Sequence, residues 1–547
     1  MVRLQHMVEF ENMSDQDYFD QLLQNTIKND QVMCVGRLLE YAAHEYKDSL
    51  ALIYNDIQVS YQELYTRACA ATRLLREKGV KPRDRVLLYV DNSIEFYIGY
   101  YGVVQLGAII APLNIFLKDR ELVHIIADAQ PVAIIASEGS INHLKTMITD
   151  SSIILISDLE ISHRLPISQQ IFQELSCDIY DLDQDELSVL LYTSGTTGLP
   201  KGVMLSSKNI MINMIQLASR SRLKQQERVF GVLPLFHSFA QNTCVWSAFF
   251  LGHTVIVIPK IDRRYIIAGL RYKPTIFLGV PALYGLLCLL KTADLDSVKY
   301  FISGGDALSD KIRAAFALLY RRKIISGYGL TEASPVLSAS FDDLSLPTDT
   351  VGKPLVNLAC ELRDEEGNVL PQDHVGRLWV KGGNIMLGYY NDPEKTAREV
   401  QDGWLDTGDL ATFDASGKLR IVGRLKDLII SKGFNIYPQE IENVIMGHSA
   451  VIRVAVIGRE EESVGEVPVA YVQLKDIDTE AALTIKKEMI KKEMIEKDLR
   501  SLCIKQLAGY KVPKDFIIYK ELPVTATGKV DKKALRAQDQ LLMNVKK

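Results

Sequence analysis

The chain has 547 residues, of which 47% are hydrophobic and 24% charged, and it carries a formal net charge of −5. A chain of this length exceeds what one compact core can bury, so we expect two or more domains. A nearly balanced charge without a long basic tract excludes a general electrostatic attraction to nucleic acid, and we expect no nucleic-acid partner.

Residues 1–30 are predicted to form an amino-terminal extension. They lack the apolar core of a secretory signal peptide, which indicates a cytoplasmic protein. The seven cysteines agree with this location, because they are dispersed and include no C-x-x-C pair. Such cysteines are typical of buried free thiols in a reducing compartment and argue against a disulfide framework or a zinc site.

The most apolar segment of the chain is Tyr97–Phe116, and it is interrupted by Gly99, Gly102, Gly107 and Pro112. A membrane span needs roughly 20 mainly apolar residues. We therefore expect a buried helix followed by a turn, and no transmembrane segment. Peripheral contact with a membrane through the substrate stays open.

Residues 31–425 alternate amphipathic stretches with short apolar runs, a pattern typical of layered α/β folds. The segment Ser60–Gly79 predicts a helix that begins after a Ser60 cap and ends at Gly79. Several apolar runs are continuous, as expected for strands covered on both faces. They are Arg85–Val90, Pro131–Ser137, Ser152–Ser157 and His253–Pro259.

From residue 426 to residue 547 the pattern becomes simpler and predicts an α+β domain of about 120 residues. A helix is expected near Glu440–Met446, followed by the strand-like runs VIRVAVIG and VPVAYVQL. Within Lys486–Asp498 the sequence KKEMI is directly repeated. A five-residue repeat fits no helical period, so it indicates a local duplication in a solvated helix.

The stretch LLYTSGTTGLPKG, Leu190–Gly202, is a candidate phosphate-binding loop. It does not fit the Walker A pattern, because Lys201 is followed by Gly202 and not by a hydroxyl residue. Pro200 disfavours a helix at Leu199, so the loop is predicted to join two strands and to close over phosphates as a flap. Taken alone, the loop could equally be a plain glycine-, serine- and threonine-rich hairpin.

Five motifs together identify a family. YTSGTTGLPKGV resembles the signature of the adenylate-forming enzymes, which include acyl-CoA synthetases, the adenylation modules of peptide synthetases and luciferases. Four further motifs resemble that family in the same order, and nearly the whole chain is covered. They are SGGDAL (Ser303–Leu308), GYGLTEASP (Gly327–Pro335), GWLDTGDL (Gly403–Leu410) with GRLKDLIISKGFNIYPQEIE (Gly423–Glu442), and PVTATGKVDKKALR (Pro523–Arg536).

The resemblance implies a fold and a reaction. The fold is of the α/β class, with a large N-terminal domain of layered α/β subdomains (residues 31–425) and a small mobile α+β C-terminal domain (residues 426–547). The reaction uses Mg²⁺ and ATP to convert a carboxylic acid to an acyl-adenylate, which then acylates the thiol of coenzyme A. We expect ATP, a carboxylic acid and coenzyme A to be the partners of the chain.

The phosphate side of the site follows from the loop and from Glu332. By resemblance, Glu332 is the ligand of Mg²⁺, an ion that keeps several waters and needs few protein carboxylates. Thr331 donates to the α-phosphate. The residues matched to the β- and γ-phosphates are Thr193, Ser194, Gly195, Thr196, Thr197, Gly198 and Lys201.

The adenosine side of the site is also assigned by resemblance. Tyr328 stacks on adenine, Asp409 accepts from the ribose hydroxyls, and Arg424 completes the nucleotide clamp. An isolated aspartate could instead serve as a turn or helix cap. The remaining residues matched to the nucleotide are Gly304, Gly305, Asp306 and Gly329.

The small domain contributes the remaining catalytic and transfer residues. The resemblance implies that Lys529 reaches the carboxylate and the α-phosphate during adenylation, and that Lys426 is the hinge. Lys432, Gly433 and Phe434 would face the adenylate and coenzyme A after the small domain rotates.

The acyl pocket is matched to His237, Gly279, Val280, Tyr284 and Gly304. Small and apolar residues offer no charge for the ammonium group of an amino acid, so the preferred substrate is a medium- or long-chain fatty acid.

Three alternatives remain open. The first is a fatty acyl-AMP ligase that loads an acyl carrier protein, although no insertion typical of such ligases is evident. The second is an aryl-acid CoA ligase. The third, a non-catalytic acyl or nucleotide sensor, is disfavoured because Lys201, Glu332, Asp409 and Lys529 are all present.

Overall fold

A computed structural model gives the structure of the chain. It describes residues 13–28, 31–148, 150, 152–158, 160, 177–194, 199–289, 294–341, 350–431, 434–461, 465–475, 485–524 and 529–546. Across these residues, helices alternate with mainly parallel sheets in the large N-terminal part and pack on a small mixed sheet in the C-terminal part. The predicted α/β class and the division into a large and a small domain are confirmed.

The first sheet is formed mainly by the early part of the chain. Its central strand Arg85–Tyr89 pairs in parallel with Ile109–Pro112 and with Ala133–Ala136. All three are almost fully buried, which explains why their apolar runs are continuous. Across the sheet the strands follow the order Gly388–Tyr389, Pro200–Ser206, Leu187–Ser194, Ile109–Pro112, Arg85–Tyr89, Ala133–Ala136 and Ile154–Ser157.

The candidate site lies at one edge of the second sheet. Its strands Ile276–Gly279, Tyr300–Ser303 and Ile324–Gly329 are parallel neighbours. The carboxyl ends of parallel strands meet at one edge of a sheet, where open α/β folds bind ligands. Across the sheet the order is Lys353–Pro354, Val336–Ala339, Ile324–Gly329, Tyr300–Ser303, Ile276–Gly279, Arg228–Gly231, Thr254–Val257, Leu50–Tyr54 and Ile57–Ser60.

Helices cover these two sheets. The helix predicted after Ser60 runs over Tyr61–Glu77; the Ser60 hydroxyl accepts from the amide of Glu63, and Gly79 follows with a positive φ of 91°. The apolar segment beyond it forms the buried helix Ile94–Gln105 and then the strand Ile109–Pro112, so the predicted buried helix is confirmed. The other helices of the large domain are Leu38–Glu45, Asp119–Ala129, Glu138–Met147, Ser207–Ser221, Ser238–Ala240, Ser247–Phe250, Arg263–Leu270, Pro281–Leu289, Asp310–Tyr320 and Pro393–Glu399, with a π-helix at Gln241–Trp246.

The amino-terminal extension forms a helix, Asp15–Thr26, that docks on the large domain. Tyr18 is buried there, and the guanidinium of Arg222 lies 4.3 Å from the centre of its ring. Asp15 pairs with Arg220 at 2.8 Å and with Arg222 at 3.3 Å. The extension is therefore held on the large domain by apolar burial and by ion pairs.

In chain order, a third sheet, which is antiparallel, follows the two α/β sheets and precedes the small domain. Its strands are Leu358–Arg363, Gly376–Gly382, Val400–Gln401, Trp404–Phe413 and Leu419–Arg424. The hairpin of the last two strands pairs Asp409 directly with Arg424.

The small domain packs helices on a mixed sheet. Its helices are Pro438–Met446, Ile485–Gln506 and Lys532–Lys546, and the first agrees with the predicted position. Its strands are Ile429–Ser431, Phe434–Ile436, Val451–Glu461, Gly465–Leu474 and Asp515–Tyr519. Short 3₁₀ turns occur at Val35–Arg37, Thr331–Ala333, Leu425–Asp427 and Gly509–Lys511.

The KKEMI repeat lies in the helix Ile485–Gln506, but the expectation of a fully solvated helix was wrong. Met494 is 61% exposed, whereas Ile495, Leu499 and Cys503 are buried in the core of the small domain. Spacings of four residues put these three side chains on one face. The helix is therefore amphipathic.

The cysteines are free thiols; Cys288 and Cys360 are half-buried and the other five are buried. Within the described residues, no helix combines the length and the apolar character that crossing a membrane requires.

Candidate active site

The candidate phosphate loop joins two antiparallel strands, as predicted. Strand Leu187–Ser194 pairs with Pro200–Ser206 in a register that sets Thr193 opposite Lys201. Paired residues of an antiparallel ladder project to the same face, so the hydroxyl and the ammonium are neighbours. The Thr193 hydroxyl is buried without a hydrogen-bond partner in the described part of the chain, which leaves it available to a ligand. Gly195, Thr196, Thr197, Gly198 and the side chain of Ser194 lie outside the described residues.

The loop lysine lies against the predicted metal ligand. Lys201 Nζ is 3.4 Å from Glu332 Oε1 and donates to the Tyr389 hydroxyl at 2.8 Å. It also lies 4.0 Å from the centre of the Tyr389 ring. Burial lowers the pKa of Lys201, and the Glu332 carboxylate opposes that change. The structure thus brings together two residues that the motifs place far apart in the chain.

Tyr389, Lys395 and Glu399 belong to this region, and the sequence analysis did not identify them. The Tyr389 hydroxyl lies 2.9 Å from Glu332 Oε1 and 2.5 Å from Glu399 Oε2. Lys395 pairs with Glu399 one helical turn later. Burial and the Glu332 charge hold the pKa of Tyr389 far above its ordinary value, so the hydroxyl keeps its proton. In the sequence, the signal for this region is the i,i+4 spacing of Lys395 and Glu399 after Pro393. That spacing predicts a helix but does not indicate a functional site.

Glycines line the strand ends where the nucleotide is expected. Gly304 follows the strand Tyr300–Ser303, and a Cβ atom there would lie 3.1 Å from the Phe239 ring. Gly329 has no room for a side chain either, since its Cβ would meet the Pro335 carbonyl oxygen at 2.0 Å. Gly305 and Asp306 are exposed beside Gly304. Gly304 and Gly329 therefore allow Phe239 and Pro335 to pack closely against this edge, and Gly305 and Asp306 are its exposed residues.

A hydrogen-bonded triad marks the predicted ribose position. The Tyr328 hydroxyl donates to Asp409 Oδ2 at 2.5 Å, and Arg424 Nε lies 3.3 Å from Asp409 Oδ1. Burial raises the pKa of Asp409, and Arg424 and Tyr328 offset only part of this. Burial also raises the pKa of Tyr328, so its hydroxyl remains a donor.

The small domain brings Lys529 to the same site. Burial lowers the pKa of Lys529; the nearby Asp306 and Asp409 carboxylates raise it, and Arg424 lowers it further. The charge of Lys529 also lowers the pKa of His237, so the two side chains are within electrostatic range of each other. A separate contact joins the two domains: Lys311 Nζ, from the large domain, donates to the carbonyl oxygens of His448 at 2.8 Å and Val451 at 3.3 Å in the small domain.

His237 is a neutral hydrogen-bond donor. Burial, with a smaller effect of Lys529, lowers its pKa to about 4. Its Nδ1 accepts from the Phe239 amide at 3.2 Å, so the proton of the neutral ring is assigned to Nε2. The Ser238 and Thr331 hydroxyls are 2.9 Å apart, which links this segment to the turn that carries Glu332.

The predicted acyl residues occupy two kinds of position. Gly279 ends a buried strand, and the half-buried Val280 follows it beside Gly305. Tyr284 is fully buried, and its hydroxyl donates to the carbonyl oxygen of Ile302 at 2.8 Å. Its side chain therefore belongs to the core under the pocket.

The hinge and coenzyme A residues are placed only in part. Lys426 lies in the turn Leu425–Asp427 between the third sheet and the small domain, where burial lowers its pKa. Phe434 is 54% exposed and stacks on Tyr510 with ring centres 4.8 Å apart. Lys432 and Gly433 lie outside the described residues. The roles of these residues stay predictions.

The donor set near Glu332 fits Mg²⁺ held mainly by a nucleotide. The Glu332 side chain is 13% exposed and offers carboxylate oxygens beside Lys201. Among the described residues, no group of three or more histidine, cysteine, aspartate or glutamate side chains could hold a metal ion. Phosphate oxygens and waters would therefore complete the shell, as Mg²⁺ commonly requires.

Comparisons with known families agree with the motifs. The profile described as AMP-binding enzyme matches residues 39–390, and that of the AMP-binding enzyme C-terminal domain matches residues 440–529. A long-chain-fatty-acid–CoA ligase of Bacillus subtilis is 32% identical over 543 residues, covering 92% of this chain and 94% of the relative. A feruloyl-CoA synthase of an Amycolatopsis species is 31% identical over 494 residues, covering 89% and 95%.

Solved structures agree over the same length. An anthranilate CoA ligase in complex with anthranoyl-AMP matches with a TM-score of 0.83 and 25% identity, covering 92% of this chain and 97% of that chain. An o-succinylbenzoate coenzyme A synthetase of Bacillus subtilis, in complex with ATP and magnesium, matches with a TM-score of 0.78 and 25% identity, covering 91% and 99%.

Proposed function

Because the chain belongs to the AMP-binding enzyme family, we propose that this acyl-CoA ligase activates a medium- or long-chain fatty acid and transfers it to coenzyme A. The overall reaction consumes ATP and releases AMP and pyrophosphate. The observation that carries the proposal is the direct contact of Asp409 with the Tyr328 hydroxyl and with Arg424 at the predicted nucleotide position.

In the first half-reaction, a carboxylate oxygen attacks the α-phosphorus of ATP and the bond to pyrophosphate breaks. Both reactants are anions, so cations must offset their repulsion. In this proposal Lys529 neutralises the carboxylate and the α-phosphate, and Lys201 neutralises the β- and γ-phosphates. The position of Lys201 opposite Thr193 and the charge effects of Asp306 and Asp409 on Lys529 support these assignments. Asp409 and Tyr328 orient the ribose and the adenine ring.

Mg²⁺ would be held by Glu332 together with phosphate oxygens, and it would supply charge neutralisation for the departing pyrophosphate. The neutral His237 donates from Nε2, which suits it to orient the carboxylate of the fatty acid. A donor at this point fixes which oxygen faces the α-phosphorus.

In the second half-reaction, the thiolate sulfur of coenzyme A attacks the acyl carbon and AMP leaves with the bonding electrons. By the resemblance, the small domain turns about Lys426 between the two half-reactions, which removes Lys529 and brings Lys432, Gly433 and Phe434 to the adenylate. Residues 31–425 and 426–547 are the bodies that we propose move against each other.

A second candidate is an aryl-acid CoA ligase, which the similarity to the feruloyl-CoA synthase and the anthranilate ligase favours. The fatty-acid proposal is preferred because the predicted acyl residues Gly279, Val280 and Gly304 offer an aromatic acid no polar side chain for its ring substituents. An acyl carrier protein in place of coenzyme A is the remaining acceptor to be tested.

The test is a paired assay of the purified protein with ATP, Mg²⁺ and acids from acetate to oleate, with ferulate and benzoate as aryl acids. One arm follows acid-dependent pyrophosphate release and the other follows thioester formation after coenzyme A is added. Adenylation and thioester formation that peak at one aliphatic chain length are expected. A peak with an aryl acid would transfer the proposal to the second candidate, and adenylation without transfer to coenzyme A would favour the carrier protein.

A further inference from the structure

The phosphate side of the site contains a cluster of five interacting side chains, which we call the Tyr389 cluster. It consists of Lys201, Glu332, Tyr389, Lys395 and Glu399. Tyr389 is at its centre: Lys201 donates to its hydroxyl at 2.8 Å, Glu332 Oε1 lies at 2.9 Å and Glu399 Oε2 at 2.5 Å. Two ammonium groups face two carboxylates, so the formal charges of the cluster cancel.

Hydrogen-bond counting separates Tyr389 from an ordinary packing residue. Its hydroxyl accepts from Lys201 and has one proton to donate, which Glu332 and Glu399 share. Lys201 lies 3.4 Å from Glu332 but only 2.8 Å from the hydroxyl. The hydroxyl thus takes the shorter hydrogen bond from Lys201, and the Lys201–Glu332 ion pair stays longer than a close charge-assisted hydrogen bond of about 2.7–2.9 Å.

We propose that Tyr389 is a positioning residue. Its hydroxyl keeps Lys201 and Glu332 adjacent but prevents them from forming a close ion pair, so that Lys201 can turn to ATP and Glu332 to Mg²⁺. This inference rests on the proposed function, because it assigns Lys201 to the phosphates and Glu332 to the metal ion. Lys395 and Glu399 anchor the hydroxyl from the helix Pro393–Glu399.

The charge balance of the Tyr389 cluster supports the release of Lys201 and Glu332 to the nucleotide and Mg²⁺. When Lys201 and Glu332 turn to the nucleotide, they leave as a pair of opposite charges. Glu399, Lys395 and the neutral tyrosine remain, and their charges still cancel. A half-buried cluster that lost one charge alone would retain an uncompensated ion, which is costly away from water. Here the release costs little.

The test compares nucleotide binding in Tyr389→Phe with that in Tyr390→Phe. Both changes remove one phenolic oxygen, but Tyr390 lies next along the chain and its hydroxyl takes no part in the Tyr389 cluster. Calorimetric titration without any acid measures the binding of MgATP and of AMP and needs no turnover. AMP lacks the β- and γ-phosphates, so it reports on the adenosine side of the site only.

The Kd of Tyr389→Phe for MgATP is expected to rise about tenfold, because without the hydroxyl the Lys201–Glu332 pair can shorten and this closer pair must then be broken. Its Kd for AMP should stay that of the unsubstituted protein, and Tyr390→Phe should leave both values unchanged. An unchanged MgATP value, or an equal loss for AMP, would overturn the positioning role.

A second variant keeps the inference testable if Tyr389→Phe does not fold. Glu399→Gln retains an acceptor of the same shape but removes its charge, so the Tyr389 hydroxyl turns to Glu332 and competes with the metal ion. It should weaken MgATP binding and spare AMP binding, and weakening of both would count against the proposal. Failure of the unsubstituted protein to bind MgATP would instead refute the proposed function.

Discussion

Substitution of Asp409 by asparagine should weaken nucleotide binding without lowering stability. The Asp409 side chain is 7% exposed, and its partners are the Tyr328 hydroxyl and the half-exposed Arg424. Burial raises the pKa of Asp409 above its value in the unfolded chain. A carboxyl group with a raised pKa stabilises the fold in its protonated form, and this contribution is lost as the pH rises through the folded pKa.

Burial of the ionised Asp409 therefore opposes folding, and Asp409→Asn removes that cost. The exposed Arg424 loses a screened ion pair worth about 1 kcal/mol or less. In contrast, hydrogen bonds from ribose hydroxyls to a charged acceptor contribute about 1.5–3 kcal/mol. The Kd for AMP should thus rise by about ten- to a hundredfold, while the unfolding temperature at pH 7 should stay the same or increase.

Asp406→Asn is the matched control, because it makes the same chemical change on the same strand. Asp406 accepts from Arg377 Nε at 2.7 Å and from the Gly408 amide at 3.0 Å, and its side chain is 4% exposed. This variant should lose about 1.5–3 kcal/mol of stability and keep AMP affinity. Calorimetry and thermal unfolding measure both quantities. If Asp409→Asn were destabilised like Asp406→Asn and bound AMP normally, the functional assignment of Asp409 would be refuted.

Three further predictions concern the domain interface. Lys529→Ala should slow acyl-adenylate formation by about 10²–10³ yet spare transfer to coenzyme A from supplied acyl-adenylate; equal loss in both steps would contradict its role. The folded pKa of His237 is lowered from 6.5 to about 4, so its contribution to stability is present above pH 6.5 and is lost as the pH falls towards 4. His237→Gln should flatten the decline of the urea midpoint over that range, and an unchanged slope would count against the pKa. Lys311→Met removes the contacts to the His448 and Val451 carbonyls, so single-turnover assays should show slower adenylation relative to acyl transfer; an unaltered ratio would mean that this contact does not hold the adenylating arrangement.

Local chemistry made much of the fold predictable. A helix begins after Ser60 because the serine hydroxyl can accept a hydrogen bond from a free backbone amide, and it ends before Gly79 because glycine readily adopts a positive φ. Pro200 made a helix after the glycine-rich loop unfavourable, and the structure has a strand there.

The KKEMI helix shows where such arguments fail. Its composition is strongly charged, yet Ile495, Leu499 and Cys503 pack into the small domain. The five-residue repeat obscures the four-residue spacing of apolar side chains that begins at Ile495, the last residue of the repeat, and continues to Leu499 and Cys503. Burial of that face depends on the sheet and helix that cover it, which lie elsewhere in the chain.

The sequence alone determined the family, the class of chemistry and most elements, because motifs, caps and apolar runs act over a few residues. It also predicted which lysines and carboxylates belong to the reaction, and those roles stay predictions. Only the tertiary structure decided that Tyr389 lies between Lys201, 188 positions away, and Glu332, 57 positions away. It alone decided that the amino-terminal helix docks on Arg220 and Arg222. The physical reason is that these contacts depend on strand order and domain packing, which bring distant side chains together without leaving any periodic signal in the chain.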